Sequence, residues 1–556
     1  MISRVETAVT FADVPGSASS GSPASIDPRT AAGHVEAGFL SIQLGRYDSA
    51  AQAFASALAH EPRNTDALRG RAQCLFVLGR IEEAVAAYDA LLAVAPDMDY
   101  MAGERFHAQL HCCDWKDYES RRRAIAERVR RAERADIPGC FMCHSDSPAD
   151  QRICAETFAK DMCVLDRPAP RPAPRSSSGR IRIAYLSADF CSHATAYLAA
   201  GLFERHDRSR FTTYAFSFGP NDGSSTRKRL ERAFDGFFDV GGSSDEDIAA
   251  QVANLGIDIA VDVKGHTLGG RPRIFALRPA PVQVSFLAYP GTMGTDFIDY
   301  LVADRHVIPD AERPHYSERV IYLPDSYQVN DATRTGARQP TRREAGLPDT
   351  GFVFCCFNSI YKVTPAVFDA WMRILDAVPG SVFWLLESSS VAARNLQLEA
   401  LRRGIDARRL VFAPRVEPAH HWARNALADL SLDTHPCNAH TTASDALWAG
   451  VPIVTLAGST FTSRVATSLL HAVGLGHLSV TSLAAYERLA VRLATDPEEM
   501  RRLKEHLRTA RSASSLFDPA VYAKRLEAAY VEIWARSQRG ESPSPVTIDA
   551  AGTVVG

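Results

Sequence analysis

Thr441 and Thr442 stand between two short apolar runs, Leu430-Ser431-Leu432-Asp433 and Ile453-Val454-Thr455-Leu456. The runs read as buried strands. The stretch between them, Cys437-Asn438-Ala439-His440-Thr441-Thr442-Ala443-Ser444-Asp445-Ala446-Leu447-Trp448-Ala449-Gly450-Val451-Pro452, therefore occupies a strand-to-helix turn. A helix start has backbone N–H groups without intrahelical partners and the positive end of the helix dipole. With two hydroxyls beside them, these groups make a site for a pyrophosphate. Asp445 lies three and four residues beyond Thr442 and Thr441, on the same face, where a carboxylate accepts hydrogen bonds from ribose hydroxyls. The bland alternative is ordinary N-capping by Thr441.

Other strand ends add chemistry. Phe357-Asn358-Ser359-Ile360-Tyr361-Lys362 follows a buried strand and makes Lys362 a candidate partner for phosphate, against the alternative of plain surface charge. Val411-Phe412-Ala413-Pro414-Arg415-Val416 is followed by His421 and Arg424, three apart on one helix face. A base could stack there and be read through backbone groups, unless the face is merely solvated. Earlier in the chain, Asp189-Phe190-Cys191-Ser192-His193 follows a strand and opens a helix, and Gly265-His266-Thr267 and Ala288-Tyr289-Pro290-Gly291-Thr292 follow two more. His193 and His266, at neighbouring strand ends facing the phosphate site, are candidates for catalysis. The sequence has no H-E-x-x-H pair, paired-carboxylate metal signature, Gly-x-Ser-x-Gly elbow or P-loop lysine. We expect a mechanism without metal, in which Lys362, Thr441, Thr442 and the helix dipole stabilise a departing diphosphate. Cys140-Phe141-Met142-Cys143-His144 matches the C-x-x-C-H pattern of haem attachment and, with Cys112 and Cys113, invites a zinc reading. No second spaced pair supports zinc, so structural cysteines are expected.

The elements that must carry these groups fall into blocks. Short apolar runs at 181–186, 212–216, 257–263, 282–287 and 300–302 alternate with helix-like segments such as 225–234 and 245–255. The alternation restarts after a loop at 331–347, with strands at 352–357, 382–386, 410–413, 430–433 and 453–456 and helices at 365–378, 396–403, 419–427 and 463–473. Two such α/β halves predict parallel sheets covered by helices, and a cleft between them at the carboxyl ends of the strands. Ahead of them, Leu44-Gly45-Arg46-Tyr47 through Phe54 to Pro62 is echoed 34 residues later by Leu78-Gly79-Arg80-Ile81 through Tyr88 to Pro96. That is the period of tetratricopeptide helix pairs, and Cys112-Cys113-Asp114-Trp115 falls where a degenerate third repeat would begin. Helices over 121–135 and 150–161 are expected to cap this short solenoid or dock it onto the α/β halves. The domain boundaries predicted are a disordered tail at 1–30, a helical region at 31–163 and a Pro-rich linker at 164–179. They continue with one lobe at 180–345, a second at 346–537 and a disordered tail at 538–556.

Composition sets limits. Hydrophobic residues at 46% and charged residues at 23% are those of a globular protein, and a net charge of −3 argues against nucleic acid as partner. No apolar run has the length of a membrane span, and the first residues lack a secretory pattern. Eleven cysteines in 556 residues suit a reducing compartment, so cytoplasmic residence is expected.

Asn438-Ala439-His440-Thr441-Thr442, Ala276-Leu277-Arg278-Pro279-Ala280-Pro281-Val282-Gln283, Tyr289-Pro290-Gly291-Thr292 and Phe357-Asn358 with Tyr361-Lys362 are the most telling motifs. Together they resemble the protein O-GlcNAc transferase family, over about 35–535. The resemblance implies an α/β GT-B fold of two Rossmann-like lobes with an N-terminal all-α tetratricopeptide region. It also implies inverting, metal-independent transfer of GlcNAc from UDP-GlcNAc to Ser or Thr hydroxyls of a protein presented by the repeats, with no cofactor. By similarity Lys362, Thr441 and Thr442 hold the UDP phosphates and Asp445 the ribose. The Val416 main chain, His421 and Arg424 recognise uracil, and His440 lies at the pyrophosphate and donor sugar. His193 and His266 look like the family's active-site histidines. The sister SPINDLY-like branch uses GDP-fucose; Tyr361, the Asn-x-His-Thr-Thr order and Asp445 look like the GlcNAc branch. The repeat arm is short, the 331–347 loop has no room for the large insert of the animal enzymes, and Ser359 stands where they have Gln. These departures resemble compact bacterial members, some of which modify flagellin with other sugars such as nonulosonates. A scaffold with idle transferase halves, or a small-molecule or lipid-linked transferase, are the remaining alternatives.

Overall fold

The protein is described by a computed structural model covering residues 27, 29–175, 179–334 and 336–555. Paired helices open it: α1 (Ala31–Gln43) with α2 (Tyr47–His60), α3 (Thr65–Val77) with α4 (Ile81–Val94), and α5 (Met101–His111) with α6 (Tyr118–Arg130). The chain reverses at Gly45 and Gly79, both left-handed (φ 69° and 75°), where a Cβ would be strained. The third repeat puts Cys113 at the same place with φ 49°, so the reversal persists without glycine and identifies the degenerate repeat. Most of the tail predicted at 1–30 lies outside the described residues, but Thr30 caps α1, accepting from the Gly33 amide at 3.1 Å.

This region docks, as one of its two expected fates. The short α7 (Pro138–Phe141) and α8 (Pro148–Met162) complete it. Asn395 donates to the Cys112 carbonyl at 2.9 Å, Trp115 packs on Phe368, and Asp146 accepts from the Ser459 amide at 3.1 Å. On α8, Arg152 donates to the Pro314 carbonyl and Phe158 packs edge-on against His266.

The first lobe runs β1 (Ile181–Ser187), α9 (Ala194–Arg205), β2 (Phe211–Ser217), α10 (Ser225–Ala233), β3 (Gly236–Asp239), α11 (Asp245–Asn254) and β4 (Ile259–Asp262). It continues with α12 (Pro272–Ala276), β5 (Val282–Ser285), β6 (Tyr300–Asp304) and β7 (Arg319–Leu323). The second lobe runs β8 (Val353–Cys356), α13 (Pro365–Ala377), β9 (Val382–Leu386), α14 (Ser390–Arg402), β10 (Leu410–Ala413), α15 (Pro418–Asn425) and β11 (Leu430–Leu432). After it come α16 (Thr441–Trp448), β12 (Ile453–Leu456), α17 (Val465–Ala472), β13 (Ser479–Val480), α18 (Leu483–Thr495) and α19 (Pro497–Ala513). The chain ends on α20 (Pro519–Gln538) and β14 (Val546–Thr547). Strand order is β14-β7-β6-β5-β4-β1-β2-β3 in one sheet and β10-β9-β8-β11-β12-β13 in the other, with parallel pairing throughout. Two Rossmann-like lobes of this kind behind a tetratricopeptide region make the expected GT-B arrangement.

Two boundaries need correction. The tail expected at 538–556 is ordered: β14 pairs with β7, Val546 and Ile548 are buried, and Ile548 bridges Val554. Its two-residue strand is too short for a sequence pattern to show. Likewise the second lobe does not hold everything to 537, because α20 crosses back to the first, where Glu527 accepts from His206 Nδ1 at 2.9 Å. The Pro-rich 164–179 has no regular structure in its described part, yet it is strapped down. Arg171 pairs with buried Asp299, and Arg175 pairs with buried Asp258 at 2.5 Å.

Candidate active site

The loop between β11 and α16 is built around Asp433. Its carboxylate accepts from the Thr434 and Ala439 amides at 2.7 Å each, from Thr455 Oγ1 at 2.6 Å and from Asn358 Nδ2 at 3.2 Å. Burial pushes this carboxyl up to about 7, against those hydrogen bonds. Asn438 staples the same loop, donating to the Thr434 carbonyl at 2.8 Å while its amide donates to Thr462 at 3.0 Å. Held at both ends, the loop delivers His440 as the residue before α16. The amides of Ala443 and Ser444 turn back to the His440 carbonyl at 3.1 and 3.2 Å, whereas those of Thr441 and Thr442 have no acceptor among the described residues.

Lys362 reaches this loop from the 3-10 turn Ile360–Lys362, its Nζ donating to the Asn438 carbonyl at 3.0 Å. Burial opposes its charge, but Cys437, Cys143 and Asp433 outweigh it and hold the ammonium above its usual range. Asn358, in the same segment, accepts from Thr442 Oγ1. His440 lies beside Lys362, and burial followed by that positive charge keeps its ring neutral, well below the usual range. Its Nε2 is buried and has no partner among the described residues. The structure brings Lys362 and His440 to the loop that starts α16, beside the two free amides of Thr441 and Thr442.

Asp445 sits differently from the open carboxylate expected. Arg334, from the segment joining the lobes, donates to Asp445 Oδ1 at 2.6 Å, and Trp422 Nε1 donates to the same oxygen at 3.1 Å. Arg334 also donates to Asn330 Oδ1 and lies over the Trp422 and Trp448 rings. The acid is thus a paired group joining the lobes, with Oδ2 outside both contacts. No local spacing could reveal a partner 111 residues away.

His421 and Arg424 do share one face of α15, but the arginine turns inward. Its Nε donates to His421 Nδ1 at 3.1 Å and its Nη1 to the Pro414 carbonyl at 2.5 Å, with the guanidinium over Phe357 and Trp384. Arg424 is buried and braces His421. Burial first, then Arg424, keep His421 neutral, down to about 3. Val416 is exposed.

From the first lobe, His193 caps α9. Its Nδ1 accepts from the Thr195 amide at 3.2 Å and lies 3.3 Å from Asp189 Oδ2. Asp189 is buried and also receives Lys264 Nζ at 2.6 Å and Thr195 Oγ1 at 3.2 Å. Lys264 escaped the sequence reading because a lysine after a strand looks like surface charge; here it is buried with its carboxylate. One turn beyond His193, Tyr197 meets Trp422 of the other lobe, ring centroids 6.4 Å apart. The start of α9 thus borders the cleft formed with α15 and α16.

His266 is not so placed. It is buried between Phe158 and Tyr289, Nε2 donating to the Met293 carbonyl at 2.8 Å and Nδ1 lacking a partner among the described residues. Burial brings its pKa down to about 4. This corrects the expectation that it faces the phosphate site: the helical region covers it, a contact invisible to local sequence. The Cys140–His144 pattern also disperses. His144 pairs with buried Asp136 at 2.8 Å, while the Cys143 thiol donates to the Gly139 carbonyl at 3.5 Å.

The family model described as Glycosyl transferase family 41 matches residues 112–336 and 335–526, and a Tetratricopeptide repeat model matches 41–110. The protein of Arabidopsis thaliana named as a probable UDP-N-acetylglucosamine–peptide N-acetylglucosaminyltransferase SEC is 37% identical over 384 residues, 68% of this chain and 39% of its own length. The UDP-N-acetylglucosamine–peptide N-acetylglucosaminyltransferase of Caenorhabditis elegans is 28% identical over 77% of this chain and 48% of its own. The chain thus spans less than half the length of these curated relatives. A solved mutant of the Thermobaculum terrenum O-GlcNAc transferase superposes with a TM-score of 0.78 at 26% identity, covering 92% of this chain and 98% of that one. With both lobes matched from 112 to 526 and the fold shared over 92% of its length, the chain belongs to glycosyl transferase family 41.

Proposed function

We propose that the protein is an inverting glycosyltransferase that moves GlcNAc from UDP-GlcNAc to Ser or Thr hydroxyls of a protein. The observation that carries this is the convergence of Lys362, the free Thr441 and Thr442 amides and the unpartnered His440 Nε2 on the start of α16. The lysine is a cation and the two amides are donors where negative charge grows as a diphosphate leaves, so together they favour the transition state over the bound ground state. Their positive character is what a metal would otherwise supply, and it supports a mechanism without one. Asp445 Oδ2 is the acceptor for ribose. The Val416 backbone and His421 read the base, with Arg424 fixing the imidazole.

His193 acts at the acceptor hydroxyl. Its Nδ1 is held between the Thr195 amide and the Asp189 carboxylate, which fixes the ring at the start of α9. From there it orients the nucleophile, and the hydroxyl's proton leaves to His193, to a phosphate oxygen of the donor or through water. His266 supports this lobe from within its core. The repeat region presents the acceptor, and residence in a reducing cytoplasm suits eleven free cysteines. Among the described residues no helix is long and apolar enough to cross a membrane.

The test is calorimetric titration with UDP, GDP and CMP in EDTA, then transfer of labelled GlcNAc to Ser/Thr peptides with the anomeric configuration of the product read by NMR. UDP-selective binding and a β-linked product are expected. Selective binding of GDP or CMP would overturn the donor assignment.

A further inference from the structure

The contact of Lys362 Nζ with the Asn438 carbonyl joins two segments that the helical region grips separately. Asp146, in the turn between α7 and α8, reaches the loop between β12 and α17, 313 residues further along the chain. Its Oδ1 accepts from the Ser459 amide at 3.1 Å and, at 3.3 Å, from the Thr460 amide that also meets Ser463 Oγ. Gly458 leaves room for this carboxylate, since a Cβ there would stand 2.4 Å from Oδ2 and 2.5 Å from Oδ1. Successive amides facing one anion form a nest, and hydrogen bonds to an ionised acceptor are stronger than neutral ones.

The gripped loop is closed on itself. Ser463 donates through its amide and its hydroxyl to the Thr460 carbonyl at 3.2 and 3.0 Å, and the Gly458 amide donates to the Ser463 carbonyl at 3.0 Å. Thr462 stands within this turn, fully buried, and its carbonyl receives the Asn438 amide at 3.0 Å. Holding 459 and 460 therefore holds the carbonyl that fixes Asn438, and Asn438 in turn holds Lys362. On the other side of that contact, Tyr361 packs against the rings of His107 and His111 on α5, with centroid separations of 4.9 and 4.8 Å. Both imidazoles are buried, their Nε2 atoms 3.2 Å apart, so they form a fixed wall for the residue next to Lys362. Asp146 and the two histidines lie outside the α/β lobes, and the transfer chemistry above uses none of them.

We propose that Asp146 and the His107–His111 pair are positioning residues for donor cleavage, setting Lys362 against the diphosphate from outside the lobes that carry it. This role rests on reading Lys362 and the start of α16 as the diphosphate site. A lysine on its flexible stem stabilises a leaving group only where its place is fixed beforehand, and a displacement of about 1 Å can cost about a hundredfold in rate. The two supports act on opposite sides of one contact: Asp146 through the carbonyl that receives the ammonium, and the histidines through the residue that precedes the lysine. The helical region is thereby part of the donor site, and whatever shifts it on the lobes shifts the lysine.

The full chain is compared with Asp146→Ala, Asp146→Asn, His111→Ala and His111→Phe by transfer kinetics with UDP-GlcNAc, UDP calorimetry and hydrogen exchange read by mass spectrometry. Asp146→Ala should lower kcat about tenfold to a hundredfold while UDP affinity stays within severalfold. Exchange should quicken at 434–442 and 458–464 and stay unchanged in the strands of the first lobe, which a general loss of stability would not spare. Asp146→Asn keeps an oxygen acceptor and His111→Phe keeps a ring against Tyr361, so each should recover most of the rate its alanine variant loses. In a Lys362→Ala background Asp146→Ala should cost less than about twofold, because its effect passes through the lysine. Full turnover in Asp146→Ala, or the same loss with and without Lys362, overturns the proposal. If Lys362→Ala is impaired and Asp146→Ala is not, the donor reading stands and only the positioning role falls; if Lys362→Ala turns over normally, both fall. Where no transfer can be measured, unchanged exchange at 434–442 in Asp146→Ala overturns the proposal by itself.

Discussion

The two lobes share a plan of parallel strands under helices, yet they bring opposite resources to the cleft. The second lobe offers fixed positive character, free amides at α16 and an ammonium held by a carbonyl, beside a neutral histidine with an unused nitrogen. The first offers an imidazole backed by a buried carboxylate whose charge Lys264 already balances. One surface is made to hold an anion and the other to direct a hydrogen. The contrast between His193 and His266 sharpens this. Both follow strands of the same sheet, but one caps a helix at the cleft and the other is roofed by Phe158 of the helical region. Position at a strand end nominates a residue; the packing over it decides its role.

The comparison is broken most severely at Lys362. Lys362→Ala should lower turnover by about a hundredfold to a thousandfold, the range for losing one preorganised stabiliser of developing charge, with UDP affinity reduced only severalfold. Steady-state kinetics beside calorimetry check it, and near-normal turnover would remove Lys362 from the diphosphate. His193→Ala should cost about 10- to 150-fold, the worth of a hydrogen bond to a charged group, with a readout in kcat. A loss nearer ten-thousandfold would make it the general base instead.

A smaller effect is expected at the joint between lobes. Asp445→Ala should weaken UDP binding about tenfold, and Arg334→Met should weaken it too, because each leaves the other's buried charge without its partner. A double variant no worse than either single one would show that they act as a unit; additive losses would separate them. The smallest effect on turnover belongs to His266→Gln, which should stay within a few fold of wild type while losing about 1–3 kcal/mol of stability with its buried hydrogen bond.

That histidine also predicts a pH dependence. Its folded value of about 4 lies below the unfolded one near 6.5, so the unfolded chain binds more protons between them. The stability it contributes is whole above about 6.5 and is lost as pH falls toward 4, by at most about 3 kcal/mol. Thermal unfolding of wild type should fall in temperature from pH 7 to pH 5, and His266→Gln should flatten part of the slope. His111 and His421, each brought down to about 3 with burial the largest cause, keep the remainder. An unchanged slope in the variant would show that His266 is not buried as described.

Much of the frame was legible because it is written at short range. β9, β10 and β12 fall on their predicted residues, and α16 begins at Thr441 as the strand-to-helix pattern requires. Strands β3, β7, β13 and β14 were missed. They are short or lie at or next to sheet edges, where a few residues with mixed burial give no periodic signal. Within the site, Lys362, His440, Thr441 and Thr442 were found from their places beside strands and helix starts. Asp433 was read only as the end of a strand, although its carboxylate orders the whole phosphate loop. Arg334 and Lys264 were missed because long basic side chains are usually solvated, and only burial shows otherwise.

The sequence by itself determined the β/α alternation, the repeat period, the Pro-rich linker between regions and the helix start that offers its amides, since each depends on residues within a few positions of one another. Tertiary structure alone decided that Arg334 neutralises Asp445, that Arg424 turns inward to brace His421, and that α20 and β14 return to the first lobe. It also decided that Phe158 encloses His266. In each case the partners are brought together by the burial of a face, and a buried charge or thiol takes its character from whatever that burial places beside it.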